Sequence, residues 1–240
     1  MIGVALSLLL RLKSKSGISE IMTGIVVSFA IISLTLIAYG LSITVSSFLI
    51  IRGSEVLAEE SVLTLIGAFE VLEFSGDSKS LNLAGISSIA FVYTGNFTLI
   101  ANGVLIGEWR NFEVFAFTRA PIAENETIFI GGTNYFSING SSIAAVKLSI
   151  AIKLLFRVYV SSFGDHVYVR VYTFEEETTC KGEWLRITVS SVIRKVYIIT
   201  CPEGVLELTL LRGNGSSFAL IKIGSQRVVL LFEVLKLEVK

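Results

Sequence analysis

Histidine is almost absent from this sequence, in which His166 is the only one among 240 residues. Zinc sites combine several Cys and His ligands at characteristic spacings, and one histidine with two distant cysteines cannot supply them. The sequence also lacks the GxSxG nucleophile motif, the P-loop and the dinucleotide-binding fingerprint. We therefore expect no enzyme, no cofactor, no metal site and no small-molecule substrate. His166 follows "SSFGD" and is predicted to lie at the surface, where a turn leads into a strand.

Neither sign of charge is in excess, since 20 Lys and Arg balance 20 Asp and Glu. A nucleic-acid-binding protein usually carries a basic patch or stripe, so we expect no nucleic-acid partner. The acidic stretch "EEETTC" at 175–180 could bind a cation through its carboxylates. Because it lacks EF-hand spacing, a solvated loop is the expected structure there.

Proline is scarce, with only two residues, and the sequence contains no Ser/Pro-rich linker and no internal repeat. Apolar residues make up 52% of the chain instead. From Ile21 to Ile51, 31 consecutive residues include no charged side chain and no histidine. A membrane span needs about 20 apolar residues, so this run predicts a transmembrane helix.

The basic residues lie on the N-terminal side of the apolar run, where Arg11, Lys13 and Lys15 have no acidic neighbour. Positive residues favour the cytoplasmic side, so the remainder of the chain is predicted to lie outside. The helical pattern continues through "SEVLAEESVLTLI". The predicted division is a leader over 1–17, a long hydrophobic helix over 18–60 and an outer domain over 61–240.

After about residue 74 the sequence favours strands, rich in Val, Ile, Phe, Tyr and Thr and separated by Gly, Asn and Ser clusters. Asn102-Gly103 predicts a two-residue hairpin turn, and Gly224-Ser225 is a weaker candidate. Alternation in "HVYVRVYTF" at 166–174 predicts a half-buried strand. The fold class we expect is α+β: a long N-terminal hydrophobic helix followed by an antiparallel β-sandwich, Ig-like in the broad sense.

The start of the apolar run carries a specific arrangement: Lys13 and Lys15, then Gly17, then "ISEI" with a single carboxylate at Glu20. It resembles the class III signal peptide of archaeal type IV pilins, which a prepilin peptidase cuts after the small residue that follows the basic leader. The resemblance covers only the leader and the apolar run, and implies a cut between Gly17 and Ile18. Glu20 would then lie in the first helical turn, where a carboxylate interacts favourably with the helix dipole, and it could pair with the new amino group.

The resemblance implies a subunit of a type IV pilus-like extracellular filament that serves surface adhesion. The helix would lie in the cytoplasmic membrane before assembly and in the filament core afterwards, with the β domain facing outside. The implied partners are further copies of the chain in a helical filament, the prepilin peptidase and the pilus assembly machinery. Identical subunits joined by non-closing contacts give such an open polymer.

Two other interpretations fit the same layout. Archaellum accessory proteins of the stator-like kind resemble it, with one N-terminal helix opening near "SEI", an outer β-sandwich and no processing. A generic anchored surface domain needs only a basic flank and an apolar helix. In both of them the leader would remain on the chain.

An outside location also favours two covalent modifications. Cys180 and Cys201, the only cysteines, are expected to form a disulfide in an oxidising compartment. Asn-X-Ser/Thr sequons occur more often than the composition gives by chance, and they predict N-glycosylation. The four acceptors are Asn96, Asn125, Asn139 and Asn214.

Overall fold

Two units make up the chain in the computed structural model, Met1–Ile50 and Ile51–Lys240. The structure describes residues 17–75, 78–119, 121, 127–130, 134–213 and 215–240. The first unit consists, where described, of the first part of helix α1 (Gly17–Ser75). The second unit contains the remainder of α1 and fourteen described strands.

The strands run through the second unit in the order β1 (Ser78–Asn82), β2 (Ile86–Ala101), β3 (Val104–Thr118), β4 (Thr127–Ile130), β5 (Phe136–Ile138), β6 (Ile143–Lys147), β7 (Ala151–Phe156), β8 (Val158–Phe163), β9 (His166–Phe174), β10 (Thr178–Lys181), β11 (Trp184–Thr200), β12 (Val205–Arg212), β13 (Gly215–Lys222) and β14 (Arg227–Val239). A short 3-10 turn, Pro202–Gly204, joins β11 to β12.

The strands form two sheets, one ordered β1-β11-β14-β9-β8-β5 and the other β13-β12-β2-β3-β7-β6-β4, with β10 added beside β2. Most neighbours are antiparallel, but β14 pairs with β9 and β5 with β8 in parallel. The predicted α+β class with a sandwich-like β domain is therefore confirmed, and the two parallel pairs are an addition to it.

Helix α1 ends at Ser75, about fifteen residues beyond the predicted boundary at residue 60. Its last part has buried residues spaced three or four apart, a spacing that puts them on one face. Among them, Phe69 meets the ring edges of Phe156 and Phe174 at centroid distances of 5.1 and 6.1 Å. Packing against the sheets therefore continues the helix beyond the region that its sequence pattern suggested.

The core of the β domain has two parts. The first lies around α1 and includes Val62, Phe69 and Leu235. The second includes Phe97 and Phe232 and is built without the helix. Along β14, Phe232 and Val234 belong to the second part whereas Leu235 and Leu237 belong to the first. Successive strand residues face opposite sides of a sheet. One face of the six-stranded sheet is therefore buried in the first part of the core, near α1, and the opposite face is buried in the second part, at the other end of β14.

This change of face explains why the half-buried prediction for β9 was only partly right. Val167, Val169 and Val171 contact the second part of the core, but Tyr172 and Phe174 on the other face contact the first part. The strand is thus buried on both faces over its last residues.

The hairpin at Asn102-Gly103 is confirmed. Both residues have positive φ, 44° and 80°, and Ala101 pairs with Val104 across the turn, as a type I′ turn requires. The second hairpin prediction was wrong, because the strands on either side of Gly224-Ser225 lie in different sheets. That loop crosses between the sheets.

Candidate functional site: the exposed apolar segment of helix α1

The most unusual feature of the molecule is residues 22–50 of α1, here called the apolar segment. Apart from Gly24, every residue in it is exposed, including large side chains such as Phe29 and Leu34. A helix that is apolar all round is normally surrounded by lipid or protein. By length and composition α1 can cross a membrane, so the segment can anchor the chain there.

The apolar segment is longer than a bilayer demands. Its 29 residues extend about 43 Å at 1.5 Å per residue, against about 30 Å for a hydrocarbon core. Tilt absorbs part of such an excess. An environment of other apolar helices accommodates the whole length.

Three hydroxyl groups of the apolar segment have hydrogen-bond partners within the helix itself. Thr35, Thr44 and Ser47 donate to the carbonyls four residues earlier, at 2.7, 2.9 and 2.8 Å. Such bonds satisfy the hydroxyl within its own helix, which matters where an unpaired polar group is costly. These residues therefore do not prevent the segment from entering lipid or a helix bundle.

The predicted processing site lies where the described residues begin. Gly17, Ile18 and Glu20 belong to the first turn of α1, whereas Lys13 and Lys15 lie outside the described residues, as does most of the leader. Their roles in cleavage and in pairing with a new amino group stay predictions.

The disulfide prediction was wrong, because Cys180 and Cys201 are both free thiols. Cys180 lies opposite Ile89 near the start of β2. Cys201 follows Thr200, whose carbonyl accepts a hydrogen bond from Asn102 just beyond the end of β2. About 40 Å of extended strand separates these two positions on β2, and a disulfide needs Cα atoms within about 7 Å. Burial raises the pKa of each thiol.

Two of the four sequons lie on described surface. Asn139 is exposed in a bend with a φ of 51°, and its N–H donates to the carbonyl of Val160 at 2.9 Å. Asn96 is exposed on β2, and its Oδ1 accepts from the hydroxyl of Tyr93 at 3.0 Å. Asn125 and Asn214 lie outside the described residues. Among the described sequons, Asn96 and Asn139 therefore both lie on surface that a glycosyltransferase could reach.

A partly buried ion-pair cluster ties the last part of α1 to β6. The ammonium group of Lys147 contacts the carboxylates of Glu59 and, at 3.5 Å, Glu55. Burial by itself lowers the pKa of Lys147, but its hydrogen bond to Glu59 and the attraction of both carboxylates outweigh that effect, so the pKa is raised. The acids that follow the apolar segment are thus partly neutralised inside the second unit.

A second charged cluster crosses the six-stranded sheet as a row. Glu233 on β14 is paired in register with Arg170 on β9 and with Arg194 on β11. Its carboxylate accepts from Nε of both arginines, at 2.5 and 2.6 Å, and from the Tyr168 hydroxyl. Burial alone would raise the pKa of Glu233, but these donors prevail and lower it. Burial and the same carboxylate raise the pKa of Tyr168. An open pocket of about 210 Å³ lies beside the row.

Two strands of the β domain expose an edge that sequence reasoning did not identify. Beyond Thr188, where β1 ends its pairing, β11 is paired with β14 alone among the described strands. The described partner of β13 is β12 alone. Alternation along a strand indicates which side chains are buried, but it does not indicate whether a second strand lies alongside, so no local signal marks an edge.

The loop expected over 175–180 was only partly right, because Thr178–Lys181 forms strand β10 beside β2. His166 begins β9 and is exposed, with Nδ1 2.7 Å from Oδ1 of Asp165, as predicted. Within the described part of the chain, no group of three or more His, Cys, Asp and Glu side chains could hold a metal ion. Comparison with known proteins finds no relative: no protein-family model, no curated protein and no solved structure matches this chain.

Proposed function

We propose that this protein is a structural subunit of an extracellular filament of the type IV pilus kind, made in the membrane and assembled at the cell surface. The observation that carries the proposal is the apolar segment, a helix exposed on every described face except at Gly24. Such a helix needs apolar surroundings in each state of the protein. The bilayer supplies them before assembly, and identical helices supply them in a filament core.

Length favours the filament over a simple anchor. A filament core can enclose the full 43 Å or so of the apolar segment, whereas a bilayer of about 30 Å leaves part of it uncovered unless the helix tilts strongly. The basic leader, Gly17 and Glu20 support the same proposal through their resemblance to pilin signal peptides. The uncleaved archaellum accessory protein and the generic anchored domain remain the competing proposals.

The β domain would face the outside of the filament and serve surface adhesion. Exposed Asn96 and Asn139 are the positions where we propose glycosylation. No catalytic role is proposed for any residue of this domain.

Cleavage at Gly17 is the step that separates the proposals. In a strain with the matching prepilin peptidase, replacing Gly17 with Phe should leave an unprocessed chain in the membrane and none in the sheared surface fraction, because a bulky residue blocks access to the backbone. Ser16→Ala is the matched control and should be processed and sheared like the wild type. Unchanged trimming of Gly17→Phe would overturn the proposed cleavage position.

A further inference from the structure

The edge of β11 beyond Thr188 and the outer edge of β13 are paired with no described strand, and these free edges have the properties of an interaction surface. All seven residues from Ser190 to Val196 on β11 are exposed, so this strand presents both faces and one edge. Ile198 beyond them is 75% exposed, and Phe218 on β13 is 72% exposed. Natural proteins usually cover or charge such edges, because a strand with unpaired N–H and C=O groups and apolar side chains is a template for another strand.

Both free edges lie on the same side of the sandwich. Strand β11 leads into β12, which lies next to β13 in the other sheet, and the edge strand β13 leads into β14, which lies next to β11 in the first sheet. These two connections meet at one end of the sandwich, where the N–H of Cys201 donates to Gln226 and the N–H of Ile223 donates to Gly204, both at 2.8 Å. One side of the β domain therefore carries an open edge from each sheet.

The directions of the two edge strands decide which partner fits. β14 is antiparallel to β11, and the chain reverses between β13 and β14, so β11 and β13 run in about the same direction. A two-fold axis that runs beside this side of the sandwich, parallel to the strands, exchanges the two sheets and keeps the strand direction. It places β13 of a second copy beside β11 and β11 of the second copy beside β13 of the first. All four edges are then paired, in parallel fashion, in one closed two-fold interface.

Charge argues for this pairing over pairing of β11 with its own copy. The free part of β11 carries Arg194 and Lys195 near its middle, and an antiparallel β11–β11 pair would bring these cations opposite one another. Like charges directly opposite destabilise a strand pair. The residues from Ser216 to Ile221 on β13 are uncharged and can lie beside the cations of β11 without that repulsion.

From these observations we infer that two copies of this chain associate through their β domains, with β11 of each adding to β13 of the other. Eight residues of β13 would give about eight backbone hydrogen bonds in each of the two strand pairs. The exposed side chains of Ile198 and Phe218 would be covered in the process. This association does not depend on the filament proposal, since it uses only the second unit.

Cross-linking of the full chain in detergent tests the strand pair directly. Two differently tagged populations, both carrying Cys180→Ser, are mixed: Ile198→Cys in one and Phe218→Cys in the other. Mild oxidation should give a mixed-tag dimer. The matched control replaces Ile198→Cys with Phe163→Cys, on β8 away from both free edges, where the side chain is 76% exposed. The control mixture should give less than a tenth of that product.

Dissociation provides the second measurement. Phe218→Lys adds a cation facing the cations of β11 and should raise the dissociation constant of the cross-linkable dimer at least tenfold, whereas Phe163→Lys should change it less than twofold. Circular dichroism of each variant checks that the exposed substitution leaves the fold intact. Equal cross-linking in the control mixture, or preferential cross-linking of Ile198→Cys to itself, would overturn the inference.

The filament proposal and this inference fail separately. Ala38→Asp, which should remove filaments, should leave the Ile198–Phe218 cross-link in place. Loss of the cross-link product in a strain that still makes filaments would overturn the two-fold association alone.

Discussion

The two parts of helix α1 are both rich in apolar residues, yet they differ in where those residues find partners. In the part from Ile51 onward, one face is buried in the β domain, and Ala58 and Phe69 have no exposed surface. In the apolar segment, Ala38 and its neighbours are exposed on all sides. The second part is satisfied within its own chain, whereas the first must be satisfied by lipid or by other molecules.

The sequence marks this difference by the position of its charges. The apolar segment has none, whereas the next turns bring Glu55 and Glu59, which contact Lys147. Burying a large apolar side chain contributes about 1.5–3 kcal/mol. Each exposed Leu, Ile or Phe of the apolar segment would therefore contribute a comparable free energy on being buried by membrane insertion or by assembly.

The largest effect should come from a charge in the apolar segment. Ala38→Asp should abolish filament assembly, because an unpaired carboxylate in an apolar core costs several kcal/mol. Every subunit of the filament would carry this cost. Electron microscopy and immunoblotting of the sheared fraction measure this. Ala38→Leu is the control and should assemble. Normal filaments from Ala38→Asp would disprove the helix-core account.

A cavity in the second part of α1 should instead affect the stability of the β domain. Phe69→Ala removes a fully buried ring and should lower the free energy of unfolding by about 3–5 kcal/mol, as measured by denaturant unfolding of the detergent-solubilised chain. Val71→Ala, two residues away on the exposed face, should cost less than about 1 kcal/mol. Equal losses in the two variants would mean that the helix does not pack as described.

Removing the central carboxylate of the charged row tests a region that depends on neither part of α1. Glu233→Gln should destabilise the β domain by about 3 kcal/mol, because it removes the negative charge that is paired with the buried guanidinium of Arg170. Arg194→Gln, at an exposed side chain, should cost about 1 kcal/mol or less. A neutral result for Glu233→Gln would show that the row is not stabilising.

The same residue predicts a pH dependence. Because the folded state lowers the pKa of Glu233, its contribution is fully present above the unfolded value of about 4.3 and is lost as the pH falls through the lower folded value. Thermal unfolding between pH 6 and pH 3 should therefore show a steeper decline for the wild type than for Glu233→Gln. Parallel curves would contradict the assignment.

The smallest effect concerns the turn that touches the second part of α1. Gly85 has a φ of 85°, and a Cβ there would lie 2.8 Å from the backbone nitrogen of Ala58. Gly85→Ala should cost about 1–3 kcal/mol through strain and overpacking. Gly103→Ala, with a φ of 80° but open space around it, should cost less, and the difference measures how closely the turn approaches the helix.

Local signals in the sequence were sufficient for the elements themselves. An uncharged run of membrane length predicts α1, and Asn102-Gly103 predicts its hairpin because few residue pairs accept positive φ at both positions. The end of α1 at Ser75 was missed because it depends on contacts with distant residues such as Phe156 and Phe174.

Pairings between distant strands were beyond local reasoning. Nothing near Cys180 or Cys201 in the sequence indicates that they lie at opposite ends of β2, and the proximity expected of a disulfide was wrong for that reason. The parallel β9–β14 pair and the free edges of β11 and β13 likewise depend on which strands meet, a property of the whole domain. The apolar segment, by contrast, depends on its own composition, so a long, exposed apolar helix was accessible from the sequence.

The most direct test of the account is the mass of the N-terminus of this protein in two fractions, membranes and sheared surface material, from cells that contain the matching prepilin peptidase. The filament account predicts that the sheared fraction contains a chain beginning at Ile18. A chain that keeps its leader and occurs only in membranes would contradict it and favour an anchored protein.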